Sequence, residues 1–249
     1  MTMAPTTSST FRRSCAEAAA TVSQGHHYIR EDGTVIEVCT TDRRDGDFHL
    51  HAELDGLVAR RSVVMPGAWA VAQQVHGAAV VDGDPLATPQ ADALITTEVG
   101  QPIAVQGADC APIAFITDGG PVAVAHAGWR GLAAGVIDET IGRLEEQGAR
   151  AQCAVVGPTI GPECYEFGRD DLDHVASLLG EEVRGSTSAG APALDLRSAI
   201  TSAFAKHDVI DVRFVGGCTA CENAGFSHRA RGDVERHALA ARILPEAER

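Results

Sequence analysis

The chain has 249 residues, of which 45% are hydrophobic, so it can bury a large core in one α/β domain or in two smaller ones. Its 34 acidic and 20 basic side chains give a formal net charge of -14, and a surface of that sign repels nucleic-acid phosphates and anionic membranes. No apolar run reaches the roughly 18 residues of a membrane span, and residues 1–20 lack the apolar segment of a secretory signal. We therefore expect a cytoplasmic protein that acts on a small molecule, with no nucleic-acid or membrane partner.

The N-terminal segment differs in composition from the rest of the chain. Residues 1–25 are rich in Thr, Ser and Ala and show no apolar period, which is typical of a flexible tail. Residues 26–249 are predicted to form a single domain, because no internal repeat or linker divides them. Within this domain, residues 34–39 and 58–69 contain short β-branched runs broken by Asp, Gly and Pro, and both are predicted to be strands with turns.

The middle of the chain predicts a strand, a tight turn and a helix in succession. Residues 103–105 and 121–126 are predicted to be strands, the second ending at His126. A helix is predicted just after Gly131, because apolar residues then recur at spacings of about three and four. They are Leu132, Val136, Ile137, Thr140, Ile141 and Leu144.

The same alternation continues toward the C-terminus. Residues 154–156 and 209–215 are predicted to be strands, and residues 170–179 and 196–204 to be helices. Strands that alternate with helices favour an α/β fold with a mixed sheet.

Three glycine-rich segments each place a metal-ligating side chain where the backbone can turn tightly: QVHGAAVVDGD, VQGADCAPI and AHAGWRG. They carry His76, Cys110 and His126. One thiolate and two imidazoles suit zinc or copper, and three protein ligands leave one coordination position open, as in catalytic zinc sites. The segments are therefore candidates for one catalytic metal site.

Two other interpretations of these residues remain open. His76 and His126 could be hydrogen-bonded structural histidines, with Cys110 a packed thiol. Alternatively, Cys110 is a nucleophile and His126 its base, which requires the two side chains to lie within hydrogen-bond reach and the thiol pKa to be lowered.

Other features give weaker signals. CTAC at residues 218–221 is a lone CxxC, and without a second pair it is interpreted as buried thiols. His49 and His51 form one HxH pair, whereas multicopper centres need several. GPTIGP lacks the Lys and Ser/Thr of a P-loop and is interpreted as a rigid turn. Among the loop arginines, Arg130 is favoured as a ligand for an anion such as phosphate, because it follows His126 closely in sequence.

Several motifs occur in a fixed order between about residues 40 and 236: QVHG, ADALIT, ADCAPI, AHAGWRGL, GPTIGPECYEFG, LDLR, CTAC and FSHR. In this order they resemble the bacterial YfiH family, also called the laccase-domain or multicopper polyphenol oxidase family. The resemblance implies a single-domain α/β fold with mixed sheets in α-β-β-α layers. It also implies a zinc ion held by the histidine of QVHG, the cysteine of ADC and the first histidine of HAGWRG, which are His76, Cys110 and His126.

The same resemblance implies a nucleoside enzyme. Members of the family are associated with phosphorolysis of adenosine, inosine and methylthioadenosine, which is a transferase reaction, and with adenosine deamination, which is a hydrolase reaction. Asp109 is a candidate acid or base and Arg130 a candidate phosphate ligand, both because of their adjacency to the metal ligands. The sequence departs from the family pattern at Gln73, at His228 and in a shortened TTDRRDGDFH loop, so the substrate-binding residues are not predicted, and neither is the oligomeric state.

Alternatives to the zinc-dependent purine nucleoside phosphorylase remain. One is a hydrolase or amidase that uses Cys110 and His126 and acts on peptidoglycan precursors. A second is a copper-dependent polyphenol oxidase, and a third is a binding protein that keeps the fold without catalysis. Zinc is predicted over copper because the repeated histidine pairs of multicopper centres are missing.

Overall fold

Strands and helices are interspersed along the chain in the computed structural model, which describes residues 16–18, 25–30, 32–222 and 225–244. The described strands are β1 (Ala16–Ala18), β2 (Gly25–Ile29), β3 (Val35–Thr40), β4 (Val80–Asp82), β5 (Ala93–Thr96), β6 (Ile103–Gly107), β7 (Ala111–Thr117), β8 (Val122–Ala127), β9 (Ala151–Val156), β10 (Arg184–Ser186), β11 (Pro192–Leu194), β12 (Asp211–Phe214) and β13 (His237–Ile243). The described helices are α1 (Leu54–Val64), α2 (Trp129–Ala133), α3 (Val136–Glu146), α4 (Arg169–Leu179), α5 (Leu196–Ala205) and α6 (His228–Arg231). Short 3-10 helices lie at Arg43–Asp45, Pro162–Cys164 and Glu181–Val183.

Two sheets form the centre of the fold. One has the strand order β1-β2-β3-β13-β6, and every neighbouring pair in it is antiparallel. The other has the order β12-β9-β7-β8-β5-β4, with parallel pairs at its two edges and antiparallel pairs between them. Strands β10 and β11 pair separately as a hairpin. The mixed sheet that the sequence predicted is therefore confirmed.

Apolar side chains on both faces of each sheet place the helices outside the two sheets. Leu94 and Leu239 belong to a buried cluster between the sheets. On the other face of the six-stranded sheet, Phe115 packs against Phe204 of α5, with ring centroids 5.2 Å apart. Leu57 of α1 belongs to a third cluster, on the outer face of the five-stranded sheet. The layers follow the order α-β-β-α, as the family resemblance implied.

The register of three neighbouring strands brings distant parts of the sequence together. Strand β8 lies between β5 and β7 and is antiparallel to both, with Ala93 opposite Ala125 and Ala111 opposite Ala127. The beginnings of β5 and β7 therefore lie beside the end of β8. Residues just before β5 and β7 therefore lie beside residues at the end of β8, where these three interior strands end.

Most predicted elements are confirmed, with small shifts at their ends. The strands predicted at 34–39, 103–105, 121–126, 154–156 and 209–215 are present, as are the helices predicted at 170–179 and 196–204. The helix predicted just after Gly131 is interrupted, since α2 begins at Trp129 and Gly135, with φ of 85°, separates it from α3. A residue with positive φ cannot continue a right-handed helix, and glycine adopts this conformation without steric cost.

The strand prediction for residues 58–69 is wrong, because residues 54–64 form helix α1. The Glu53 side chain accepts hydrogen bonds from the backbone N–H groups of Asp55 and Gly56, which caps the first turn of this helix. The β-branched Val58 and Val63 are exposed and pack against no sheet neighbour. Strand propensity depends on such packing, so the cap and the burial of Leu57 decide the conformation instead.

The predicted tail, residues 1–25, lies largely outside the described residues. Within it the structure describes Ala16–Ala18, which form β1, and Gly25, which begins β2. Over the part of the chain that is described, no helix is long and apolar enough to cross a membrane.

Candidate metal centre

The structure brings the three predicted metal ligands together. One donor atom from each of His76, Cys110 and His126 lies within 4.8 Å of the others. The Cys110 Sγ atom is 3.8 Å from His76 Nε2, and the two imidazole rings meet edge to face with centroids 4.8 Å apart. His126 is buried near the end of β8, whereas His76 is exposed. The donor group is therefore packed against the protein at His126 and accessible to solvent at His76.

A buried carboxylate, Asp92, positions two of these ligands. Its Oδ1 atom lies 2.9 Å from Nδ1 of His126, which leaves Nε2 of that ring for a ligand. The same carboxylate accepts hydrogen bonds from the backbone N–H groups of His76 and Gly77, at 3.0 and 2.7 Å. Burial alone would raise the pKa of Asp92, but the hydrogen bonds from His126 and Gly77 outweigh it and lower the pKa. Sequence reasoning missed this role; the available signal was an Asp directly before the apolar residues Ala93, Leu94 and Ile95 of strand β5.

Backbone strain is concentrated beside the ligands. His76 has φ of 60° and Asp109 has φ of 95°, a region that residues with a side chain seldom occupy. Such conformations persist only where the surroundings hold them. For His76, the Asp92 carboxylate does so by accepting hydrogen bonds from the backbone N–H groups of His76 and Gly77. The strained residues therefore flank the donor atoms, as is usual at functional sites.

Close packing of the group depends on Gly128, the glycine after Ala127 in HAGWRG. A Cβ atom at this position would lie 2.7 Å from Cys110 Sγ and 3.1 Å from His76 Cδ2. No real Cβ makes a contact of 2.7 Å, so any side chain here would displace the sulfur or the imidazole.

Cys110 and His126 each stabilise the charged form of the other. Burial would raise the pKa of the Cys110 thiol, but His126 and His76 outweigh it and lower that pKa to about 6. Burial would lower the pKa of His126, but Cys110 and Asp92 outweigh it and raise that pKa to about 9. Both shifts favour the thiolate form of Cys110, which is the form that binds metals and the form that attacks electrophiles.

The donor set fits a transition metal ion such as zinc. A thiolate and two imidazoles are ligands that zinc prefers, and Asp92 supplies the carboxylate partner that a ligating histidine usually has. The three donors would leave a fourth position open toward a cavity of about 560 Å³. This arrangement fits a catalytic metal site better than a closed structural one.

The cavity is lined by aromatic, amide and basic side chains together with the three donors. The arginine guanidinium of Arg130 lies 4.4 Å from the ring centroid of Trp129, and that of Arg229 lies 4.8 Å from the ring of Tyr165. Other lining residues include His49, His51, Gln74, Gln106, Asp109, His228 and Arg236. The Arg130 side chain forms no hydrogen bond or ion pair with any residue that the structure describes, so its charge is available to a ligand.

Asp109 also lines this cavity, but its carboxylate is already engaged. Oδ1 accepts a hydrogen bond from Thr219 Oγ1 and Oδ2 accepts one from the backbone N–H of Arg229, both at 2.6 Å. Each oxygen retains a further acceptor site. The structure therefore places Asp109 and Arg130 at the cavity, while their catalytic roles remain predictions.

The HxH pair lies at the cavity but outside the donor group. The rings of His49 and His51 are 5.1 Å apart, and His49 Nδ1 accepts a hydrogen bond from the backbone N–H of His51. Neither belongs to the donor group of His76, Cys110 and His126.

The chain matches one family profile and is similar to curated proteins named purine nucleoside phosphorylase. The profile of the family described as multi-copper polyphenol oxidoreductase laccase matches residues 33–243. A purine nucleoside phosphorylase of Rickettsia conorii is 39% identical over 164 residues, which cover 65% of this chain and 62% of that protein. One from Pseudomonas aeruginosa is 35% identical over 170 residues, covering 66% and 70%. The matched segment thus spans less than two thirds of the Rickettsia protein.

Solved structures share the fold over most of their length. YlmD from Geobacillus stearothermophilus superposes with a TM-score of 0.71 at 25% identity, covering 92% of this chain and 100% of that one. A Neisseria meningitidis protein superposes with a TM-score of 0.71 at 25% identity, covering 87% and 96%.

Proposed function

Because the chain belongs to the multi-copper polyphenol oxidoreductase laccase family, the YfiH family that its motifs indicated, we propose that it is a zinc-dependent purine nucleoside phosphorylase. Its substrates would be phosphate and a nucleoside such as adenosine, inosine or methylthioadenosine. The observation that carries the proposal is the open donor group of His76, Cys110 and His126 at a ligand-sized cavity. The names of the Rickettsia and Pseudomonas relatives support it.

The size and lining of the cavity support a nucleoside as the ligand. A volume of about 560 Å³ lies within the range of small-molecule sites. Trp129 and Tyr165 offer aromatic surfaces for a purine, and Arg130 offers a guanidinium for phosphate. The stacking of Arg130 on Trp129 would hold the guanidinium in place before phosphate binds.

In phosphorolysis, an oxygen of phosphate bonds to ribose C1′ while the bond from C1′ to the purine nitrogen breaks, and the departing base takes up a proton. Arg130 would orient the phosphate through charge-assisted hydrogen bonds. Asp109, held by Thr219 and the backbone of Arg229, would carry the proton. A zinc ion bound by the donor group would supply Lewis-acid polarisation of an oxygen atom.

Adenosine deamination is a second activity that we propose for the same cavity. In that reaction water replaces the amino group of the purine, which leaves as ammonia. The open position beside the three donors and the nearby Asp109 favour it, since the reaction needs an activated water and a proton carrier. Inosine formed without phosphate would identify this activity.

A different reaction class is favoured by the charge pairing at the same site. The lowered pKa of Cys110 and the raised pKa of His126 describe an activated thiolate beside an imidazolium, which is the arrangement of cysteine hydrolases and amidases. Such an enzyme would act on amide substrates such as peptidoglycan precursors and would need no metal. Copper-dependent polyphenol oxidation is the remaining alternative, and copper analysis with a phenol oxidation assay tests it.

The test combines metal analysis with product detection. Wild-type protein and Cys110→Ala are compared for zinc content and for free base and ribose 1-phosphate formed from adenosine and inosine, with and without phosphate. We expect Cys110→Ala to lose about one zinc ion per chain together with base release. Cys39→Ala, which alters a buried cysteine of the third hydrophobic cluster that is not among the donors, is the control and should keep both.

Two outcomes would count against the proposal. Zinc binding without base release in wild-type protein would contradict the phosphorylase assignment while retaining the metal site. Hydrolysis of an amide substrate by zinc-depleted protein, abolished by thiol alkylation, would favour the cysteine hydrolase.

A further inference from the structure

A second group of metal-ligating side chains lies outside the candidate metal centre. One donor atom from each of Glu163, Cys164, Cys218 and Cys221 lies within 4.8 Å of the others. Glu163 and Cys164 lie in the 3-10 helix Pro162–Cys164, and the other two cysteines lie in the CTAC segment after β12. We call these four residues the cysteine cluster; it shares no residue with the first donor group.

The lone CxxC of the sequence is thus completed by residues from elsewhere in the chain. The sequence alone indicated buried thiols at 218–221, but Cys221 is exposed and only Cys218 is buried. The Cys221 Sγ atom lies 3.4 Å from Glu163 Oε1, across a sequence separation of 58 residues. Tertiary contact therefore supplies a third sulfur and a carboxylate that local spacing could not reveal.

Backbone hydrogen bonds fix the two segments relative to each other. The N–H group of Thr219 donates to the carbonyl oxygen of Thr159 at 3.2 Å, and a β-bridge joins Thr159 to Cys218. The N–H group of Gly161 donates to Cys218 Sγ at 3.2 Å. This hydrogen bond and the β-bridge hold the sulfur of Cys218 beside the turn that carries Glu163 and Cys164.

The donor types match a closed zinc site. Three sulfur atoms and one carboxylate oxygen complete the four-coordinate shell of structural zinc, with no position left for substrate. Zinc–sulfur bonds of about 2.3 Å place sulfur atoms of a tetrahedral site roughly 3.8 Å apart. Donor atoms already within 4.8 Å can reach that spacing through side-chain rotation.

We propose that Glu163, Cys164, Cys218 and Cys221 bind a structural zinc ion. The ion would link the turn at 162–164 to the segment at 218–221. Both segments also adjoin the cavity of the first donor group. Tyr165, the residue after the turn, lines this cavity. Thr219 of the second segment donates a hydrogen bond at 2.6 Å to Oδ1 of Asp109, which lines it too. This second ion would hold one wall of the cavity in place and take no part in the reaction.

The first experiment measures the number of zinc ions bound per chain in wild-type protein and in cysteine variants. Full-length protein is purified under reducing conditions, reconstituted with zinc and freed of excess metal, as wild type, Cys110→Ala, the double variant Cys164→Ala/Cys221→Ala, and the control Cys39→Ala. We expect about two zinc ions per chain in wild type and control, and about one in each of the other two proteins. Circular dichroism and thermal unfolding verify that each variant is folded.

Cobalt substitution identifies which site each variant has lost. Sulfur-to-cobalt charge-transfer absorption grows with the number of thiolate ligands, and the cysteine cluster offers three thiolates where the first donor group offers one. Cys110→Ala should therefore keep most of this absorption, and the double variant should keep only a minor part. Glu163→Gln, which retains every thiol, should weaken the affinity of this site for cobalt about tenfold or more and so tests the cluster without risk to the sulfur ligands.

Two results would overturn the proposal. One is a folded wild-type protein that binds about one zinc ion per chain, when the double variant has the same zinc content and Glu163→Gln the same affinity for cobalt. The other is a wild-type protein without a second metal in which peptide mapping without reductant finds a disulfide bond between two of these cysteines.

Discussion

The Nδ1 atom of His126 lies 2.9 Å from Oδ1 of Asp92, a carboxylate that is fully buried and that also binds the backbone of His76. One side chain thus fixes the ring orientation of one candidate metal ligand and the loop conformation of another. The geometry of the candidate metal centre accordingly depends on a residue that is not one of its three donors.

Asp92→Asn is expected to lower zinc affinity by about ten- to a hundredfold, because the neutral amide weakens the hydrogen bond that orients a ligating histidine. Competition with a chromophoric chelator measures this affinity. Asp82→Asn changes an exposed carboxylate in β4 and is the control. Equal affinities of Asp92→Asn and wild type would show that Asp92 is only structural.

Gly128→Ala is expected to remove zinc from the first donor group, since the added Cβ would lie 2.7 Å from Cys110 Sγ. Metal analysis together with thermal unfolding separates loss of the ion from loss of the fold. Gly142→Ala in helix α3 is the control, because a Cβ there meets nothing within 4 Å and alanine favours helix by roughly 1 kcal/mol. A fully loaded Gly128→Ala protein would contradict the packing argument.

Arg130→Ala is expected to raise the KM for phosphate about tenfold or more and to change the KM for nucleoside much less, because the guanidinium is assigned to the anion. Steady-state kinetics with each substrate varied in turn gives both constants. Arg130→Lys should restore part of the loss, while Arg150→Ala, at an exposed arginine, should have no effect. If the two constants change equally, Arg130 does not bind phosphate selectively.

Asp109→Asn is expected to lower kcat about a hundredfold, because it removes a group assigned to proton transfer. Thr219→Val deletes the hydrogen bond to Oδ1 but leaves the carboxyl group, and it should lower kcat much less. Similar losses in both variants would instead identify Asp109 as a positioning residue.

His237 is expected to make the protein less stable in acid. Burial lowers its pKa in the folded protein from 6.5 to about 4. As the pH falls below 6.5, the unfolded chain therefore takes up a proton first, and the free energy of unfolding decreases by roughly 3 kcal/mol by the time the pH reaches 4. Above pH 7 the effect vanishes, because both states are neutral.

Urea unfolding at several pH values measures this dependence. His237→Gln should show a shallower decrease between pH 6.5 and pH 4 than wild type. Parallel curves for the two proteins would mean that His237 does not contribute.

Local sequence patterns predicted most elements because periodicity reports which face of a segment is buried. Helices α4 and α5 follow this rule. Helix α1 does not, since its valines suggested a strand while an exposed surface and a Glu53 cap produced a helix. Propensity is a weak guide wherever a segment buries only one residue.

The sequence by itself determined the chemistry of the candidate site, because donor types are a property of residues: the imidazoles of His76 and His126 and the thiol of Cys110 indicated a metal wherever they might meet. Only the tertiary structure decided that they do meet, and that Asp92 forms hydrogen bonds with the ring of His126 and the backbone of His76. The reason is the order of strands in the sheet, which sets the start of β5 and of β7 beside the end of β8. Strand order and register depend on contacts between residues far apart in the chain, and no local period records them.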